Sequence, residues 1–379
     1  MIFLSTYLQN LHNQIEVKLP IYTFNDYLIF LVIPILFLFL VSVLFALLIE
    51  RNLLDNEALQ KTKFEEEIID FLMGLIFLDS KNSIIKEKIV QFRKTNVYKK
   101  KWCEQFVLNQ LIHIKENIKD LNSELIIFIY KEFDLHLYSE KLIKQSKWHS
   151  KSLGFYHYKA LDYKSKIATI KPFLNSKNKY LKSNALITII SLSNEKFDVL
   201  NNYPDKISAA DEIKILDLIY EKESVIPKTV FDWLHNKNNS IVILAIKLII
   251  RYRVSISLLQ IQDLLNNDDA IIRNTIIVAI KELFIVEAND MLIRQYYTET
   301  NTQNKIGILK TLGINGDEKT LNFVSKLIKI EKKLDVKFEI ISCINKIDFS
   351  YFDNYTFKDH NETKMLSKII LHVKNPYLN

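Results

Sequence analysis

The sequence predicts an all-α protein: a single N-terminal transmembrane helix followed by an α-α superhelix of paired helices. Three observations carry this. The run Tyr27 to Ile49, YLIFLVIPILFLFLVSVLFALLI, holds no ionisable side chain. Glycine and proline number only five and six in 379 residues, and sheets and long loops need more of both for their turns. From about residue 163, a polar turn followed by an apolar helical stripe recurs with a period near 31 residues.

The apolar run comes first. As a helix rising about 1.5 Å per residue it spans roughly 34 Å, enough to cross the hydrocarbon core of a bilayer. A buried core helix of this length almost always has a polar face, and this run has none, so a span is favoured over the alternative of a very apolar soluble helix. Pro34 removes one N–H in its first third and is expected to kink it mildly. Residues 1–26 lack the basic start and small-residue cleavage site of a secretory signal. They read as a short extracytoplasmic N-terminus before an uncleaved anchor. Lys18 alone precedes the run; Arg51, Lys61 and Lys63 follow it, then Lys99, Lys100 and Lys101. The positive-inside rule therefore places the large C-terminal part in the cytoplasm, at a cell (inner) membrane. Glu65, Glu66 and Glu67 offset part of that bias.

Residues 50–150 form a juxtamembrane helical region. The span is expected to continue through ERNLLDNEALQKTKFEEEIIDFLMGLIFL, with Leu72, Leu75, Ile76 and Leu78 packing on later helices and a break at Asp79 and Ser80. Further helices are expected at about 83–94, 101–118 and 121–133. In the second of these Phe106, Leu108, Leu111 and Ile114 recur at near-helical spacing, and Asn122 to Glu124 reads as a capped start for the third. Lys141 to Lys166 is the most basic and aromatic stretch, with Trp148, Phe155, Tyr156, His157 and Tyr158 among its lysines. Such interleaving suits stacking on single-stranded nucleic acid. The favoured reading is two amphipathic helices with aromatics inward and lysines outward, because a nucleic-acid groove needs residues from several elements.

Residues 151–379 carry the repeats. In LLNNDDAIIRNTIIVAIKELF the turn Asn266 to Asp269 precedes a stripe of Ile272, Ile276, Ala279 and Leu283. WLHNKNNSIVILAIKLII has the same grammar, with turn Asn236 to Asn239 and then Ile241, Ala245 and Leu248. FLNSKNKYLKSNALITIISL aligns Leu181 and Ala185 with Ile241 and Ala245. Between them AADEIKILDLIYEKES loses the turn but keeps Ile213, Leu216 and Leu218 as the expected apolar face. Downstream, Leu312-Gly313-Ile314-Asn315-Gly316-Asp317 joins two helices, and Val336-Lys337 opens another. Residues 350–379, with Phe352, Tyr355 and KMLSKIILHV, are expected to cap the open end.

At Ile272-Arg273, Ala185, Ala245, Gly313 and Gly316-Asp317 the sequence resembles HEAT-repeat proteins over about residues 160–350. It departs from them in lacking the turn proline and in supplying the turn arginine only at Arg273. The resemblance implies antiparallel helix pairs stacked into a curved solenoid. It further implies a likeness to bacterial proteins with an N-terminal span followed by HEAT-like repeats. Those are often encoded beside membrane glycosyltransferases for surface polysaccharide.

Motifs for chemistry are missing from the sequence. With five glycines there is neither a G-x-x-x-x-G-K-S/T loop nor a G-x-G-x-x-G turn. The eight histidines are scattered, and His149 and His157 lack an i, i+4 spacing. Cys103 and Cys343 have no C-x-x-C partner, and Asp268 and Asp269 are explained as a helix N-cap. No catalytic activity, cofactor or metal is expected. What is left is surface. On helices assigned to the concave face the polar positions include Lys182, Lys214, Lys247, Arg251, Arg273, Lys281, Lys305, Lys310 and Lys337, with Asp217, Glu282 and Glu339 as the fewer acidic counterparts. Solvated lysines that keep the protein soluble are the default reading of these positions; a groove leaning basic would instead suit an acidic peptide, an acidic face of a protein partner or anionic headgroups. The leading expectation is a membrane-anchored scaffold that holds a protein partner at the inner membrane, with no nucleic acid. A HEAT-like nucleic-acid-binding protein and a HEAT-like lyase stay open as alternatives.

Overall fold

The structure, a computed structural model, describes residues 32–78, 81–95, 98–100, 102–193, 197–222, 225–353 and 360–375, with side chains from 365 onward in the last segment. The described residues form eighteen α-helices, short 3-10 turns and no strand. The chain divides into two compact units, residues 1–111 and 112–379.

The first unit is built on α1, Ile33–Ile76, a continuous helix of 44 residues. Its two halves differ. Residues 32–56 are exposed at every position, and this part is long and apolar enough to cross a membrane. Residues 27–31 of the expected span lie outside the described residues, and Pro34 stands in the first turn of the described part of α1. In the second half Phe64, Ile68, Leu72 and Leu75, spaced four, four and three apart, form one buried stripe. It packs with α2 (Asn82–Arg93), whose buried face is Ile85, Ile89 and Phe92, and with the start of α3 (Cys103–Asn117). Phe71 stacks on Phe92 at 4.3 Å, and Trp102 meets Phe64 edge-on at 5.8 Å.

The second unit continues as α4 (Ser123–Glu132), α5 (Leu135–Lys144), α6 (Trp148–Ala160), the short α7 (Ile167–Ile170), α8 (Lys179–Leu192) and α9 (Ala209–Lys222). Four helix pairs follow: α10 (Thr229–Trp233) with α11 (Asn239–Tyr252), α12 (Leu258–Leu265) with α13 (Ala270–Glu282), α14 (Asn289–Thr298) with α15 (Thr302–Asn315), and α16 (Glu318–Leu327) with α17 (Leu334–Ile347). The last helix is α18 (His360–Lys374). The second helices pack in series, α11 on α13, α13 on α15 and α15 on α17. The first helices pack on their own partners and meet one another sparsely. This is the arrangement of a stacked helical repeat, with a closely spaced inner row of second helices.

The polar turns are N-caps. Asn238, Asp269 and Asn301, 31 and 32 residues apart, accept from the backbone N–H groups of Ser240, Ile271 and Asn304. Behind each cap the apolar stripe enters a continuous core running from Leu186 to Val373. On α11 Ile241, Val242, Leu244, Ala245, Ile246, Leu248 and Ile249 are all buried, as expected for a helix flanked on both sides. The chain exits two inner helices through left-handed residues that are not glycine, Arg253 (φ 52°) and Phe284 (φ 56°), at matching repeat positions. Gly313 has a packing role: a Cβ there would stand 3.3 Å from the Cα of Cys343 on the next inner helix.

On α9 the expected Leu216 and Leu218 pack against the core, but Ile213 does not. Ile215 and Ile219 are buried, while Ile213 is 61% exposed. The helix touches both α8 and α11, and the i, i+4 pair is the one those neighbours cover. At the C-terminal end Phe352 is buried, and Leu366, Ile369 and Val373 of α18 join the core with α17 beside them. Tyr355 lies outside the described residues.

Candidate functional site

All nine basic positions singled out from the sequence lie on α8, α9 or the inner-row helices, but most are already engaged. Lys182 holds Asp205 at 2.6 Å. Lys247 pairs with Glu212 from the preceding inner helix. Arg251 stands 3.4 Å from Asp217 and lies over the Tyr220 ring at 4.3 Å. Lys281 pairs with its neighbour Glu282 at 2.9 Å, and Lys305 lies 4.9 Å from the centre of the Tyr296 ring. Lys214 is exposed, and among the described residues no carboxylate reaches it. Lys337 was expected on a polar face and is buried instead, on the side of α17 that packs with α15 and α18, while Leu334 and Asp335 in the same turn stay exposed. The acidic members Asp205, Glu212 and Glu299 sit about one repeat away, which is why a helix-by-helix count of charge passed over them. The basic face is thus largely a set of inter-helix ion pairs.

Arg273 is the most constrained of the nine. Its Nε and Nη2 donate to the two oxygens of Glu299 at 2.8 Å each, and its Nη1 donates to the carbonyls of Asn267 and Asp268 at 2.8 and 2.9 Å. Asn304 adds a donor to Glu299 at 3.2 Å and a second bond to the Ala270 carbonyl at 3.0 Å, while the Asn301 N–H donates at 2.9 Å. Burial alone would raise the Glu299 carboxyl; these donors outweigh it and hold the group at about 2. The network ties the turn before α13 to the turn before α15.

Lys310 lies in a different setting. With Gln303, Ile306, Leu334, Asp335, Phe338, Glu339 and Ile369 it lines a cleft of about 480 Å³ among α15, α17 and α18. Half of the lining is aliphatic or aromatic and half is polar: Gln303, Asp335 and a charge pair in which Lys310 Nζ stands 4.0 Å from the buried Glu339 carboxylate. Burial raises the Glu339 pKa, while Lys310 and Lys346 draw it back down. A concave site that mixes apolar walls with a few polar groups is the ordinary form of a binding site, and here it lies where α15 and α17 of the inner row meet α18. Ile306, Phe338 and Ile369 come from three helices and could not be grouped from sequence spacing.

The basic aromatic stretch divides. Phe155, His157 and Tyr158 are buried, whereas Trp148 and Tyr156 are exposed. Inside, Tyr130 Oη donates to Ser139 Oγ at 2.8 Å, and Ser139 Oγ lies 3.1 Å from His157 Nδ1. Burial pushes His157 down to about 4, so its ring is neutral at pH 7. Fully enclosed, this Ser–His contact serves packing. Cys103 and Cys343 are buried free thiols; burial first, then Glu104 and Glu339 respectively, pushes both up to about 12.

No protein-family model matches the chain, and a search of curated proteins finds no match.

Proposed function

We propose that this protein is a membrane-anchored adaptor whose helical-repeat unit binds a protein partner and keeps it at the membrane. The supporting observation is the contrast within α1. The apolar first part is exposed throughout, while the same helix further on buries Phe64, Ile68, Leu72 and Leu75. An apolar surface of that length is unfavourable in water and matches a bilayer core. The Lys and Arg that follow it orient the C-terminal part to the cytoplasm.

For the partner, the ion-paired inner row argues against a uniformly basic grip. The cleft of Ile306, Phe338 and Ile369 beside the Lys310–Glu339 pair favours an apolar anchor with a polar flank, in the helix-in-groove manner. The resemblance to HEAT-repeat proteins supports a protein-binding solenoid and makes a membrane glycosyltransferase of a surface-polysaccharide machine the first partner to look for. The test is crosslinking in membranes followed by purification of the full chain, wild type against Phe338→Asp. A partner recovered with wild type and lost with the variant supports the reading. Equal recovery from both, or recovery of nucleic acid in place of protein, overturns it.

A further inference from the structure

The positive charge of this protein is concentrated in one stretch. Residues 141–182 hold eleven lysines and one acidic residue, Asp162, a formal +10, although the whole chain carries only +7. The rest of the chain therefore sums to −3. The fold gathers part of this stretch at one edge. Trp148, the first residue of α6, stacks on Tyr180 near the start of α8, with ring centres 5.4 Å apart and an interplanar angle of 25°. Both rings are exposed, at 41% and 55%. Their chain neighbours Lys147 and Lys179 are exposed, as is Lys177 on the approach to α8, and Lys179 lies over the Tyr180 ring at 5.1 Å. Among the described residues no carboxylate lies within ion-pair distance of Lys147, Lys177 or Lys179. This contrasts with Lys182 further along α8 and Lys247 on the inner row, which are paired. Lys147 also leaves the first N–H groups of α6 without a side-chain cap.

We propose that this edge is a docking surface for an anionic phospholipid bilayer. Trp and Tyr are the side chains that favour the water–hydrocarbon interface, because each combines an apolar body with a polar tip. Unpaired lysines around them meet the negative surface of the cytoplasmic leaflet. The two rings stack on each other and Lys179 lies over Tyr180, which leaves little free ring face, a poor platform for successive bases but adequate for wedging among headgroups. The proposal rests on α1 as the membrane anchor and not on the identity of any protein partner. A chain held by that anchor meets lipid at high effective concentration, so individually weak lysine contacts suffice.

The test uses the full chain in nanodiscs, with Ser146→Cys carrying an environment-sensitive fluorophore and doxyl-labelled lipids as quencher. In phosphatidylglycerol discs quenching is expected to exceed that in phosphatidylcholine discs by about fivefold or more and to fall at high salt. The triple variant Lys147→Glu, Lys177→Glu, Lys179→Glu is expected to return to the neutral-lipid level with an unchanged thermal melt. The wild-type lipid comparison decides the matter by itself should that variant misfold. Quenching independent of lipid charge overturns the proposal while leaving the anchor intact. Displacement of the label from lipid by single-stranded DNA, without lipid-charge dependence, overturns it in favour of nucleic acid. Failure of the chain to enter discs overturns the anchor and this proposal together.

Discussion

Arg273 and Glu299 form a two-pronged ion pair, 2.8 Å at each prong, with the Glu299 side chain fully buried. Arg273 stands on the inner helix α13, and Glu299 closes the outer helix α14, so the pair ties consecutive repeats together. Removing one partner of such a pair strands the other charge. Glu299→Gln is expected to cost about 3–5 kcal/mol in urea unfolding. Arg273→Lys keeps the charge but loses the fork and the two carbonyl contacts, so it too destabilises. The folded pKa of about 2 lies below the ordinary 4.5. The stabilisation is therefore complete above about pH 5 and lost as pH falls toward about 2. The Glu299→Gln variant should show a shallower pH slope across that window.

His157 gives a second, separable acid response. Its folded pKa of about 4 lies below the ordinary 6.5, so the unfolded chain takes up the proton first as pH drops. Stability is expected to fall from about pH 6.5 down to about 4. His157→Phe should flatten that part of the curve at a neutral-pH cost of about 1 kcal/mol, since Ser139 Oγ keeps its contacts to Tyr130 and to the Leu135 carbonyl. Thermal melts at half-unit pH steps, variant against wild type, measure both effects.

Two glycines with opposite surroundings should respond in opposite directions. At Gly154 a Cβ would stand 2.5 Å from Ile143 Cγ1 and 2.9 Å from the Ser139 carbonyl oxygen, so Gly154→Ala should lose about 1–3 kcal/mol by overpacking. At Gly74, inside α1, nothing lies within 4 Å of the added atom. There Gly74→Ala should gain about 0.5–1 kcal/mol from reduced backbone freedom in the unfolded chain. Denaturant midpoints of the two variants, side by side, decide this.

The inner-row ion pairs predict a compensating exchange. Lys247→Glu alone sets two carboxylates together near Glu212 and should cost about 0.5–1 kcal/mol, because the lysine is 42% exposed. Combining it with Glu212→Lys should restore most of the loss. A double-mutant cycle measures the coupling.

Much of this architecture is legible in the residue order, because caps and stripes are local signals. Asn238 and Asp269 announce their helices, and Ile241 and Ile272 mark the same buried position one repeat apart. Register fails where the local signal lapses. Before α9 the cap is Ser208, whose Oγ accepts from the Asp211 N–H, in place of the Asn/Asp turn; the sequence then offers several apolar residues for one face, and packing against α8 and α11 selects Ile215 and Ile219 over Ile213. The candidate basic face could be located but not its charge. Lys182, Lys247 and Arg273 each find a carboxylate about one repeat away, and such pairs exist only once the helices stack. Likewise Tyr180 joins Trp148 across 32 residues, so a reading confined to Lys141–Lys166 sees one ring of the pair.

The most direct test of the account is the topology of the full chain in cells, read with a C-terminal tag. The protein is expected to stay in the membrane pellet through an alkaline wash, as a helix that spans the hydrocarbon core does and a charge-bound protein does not. In intact spheroplasts the tag should resist added protease, and after lysis it should be digested. Release into the wash would contradict the span, and digestion of the tag in intact spheroplasts would contradict the cytoplasmic placement of the helical-repeat unit.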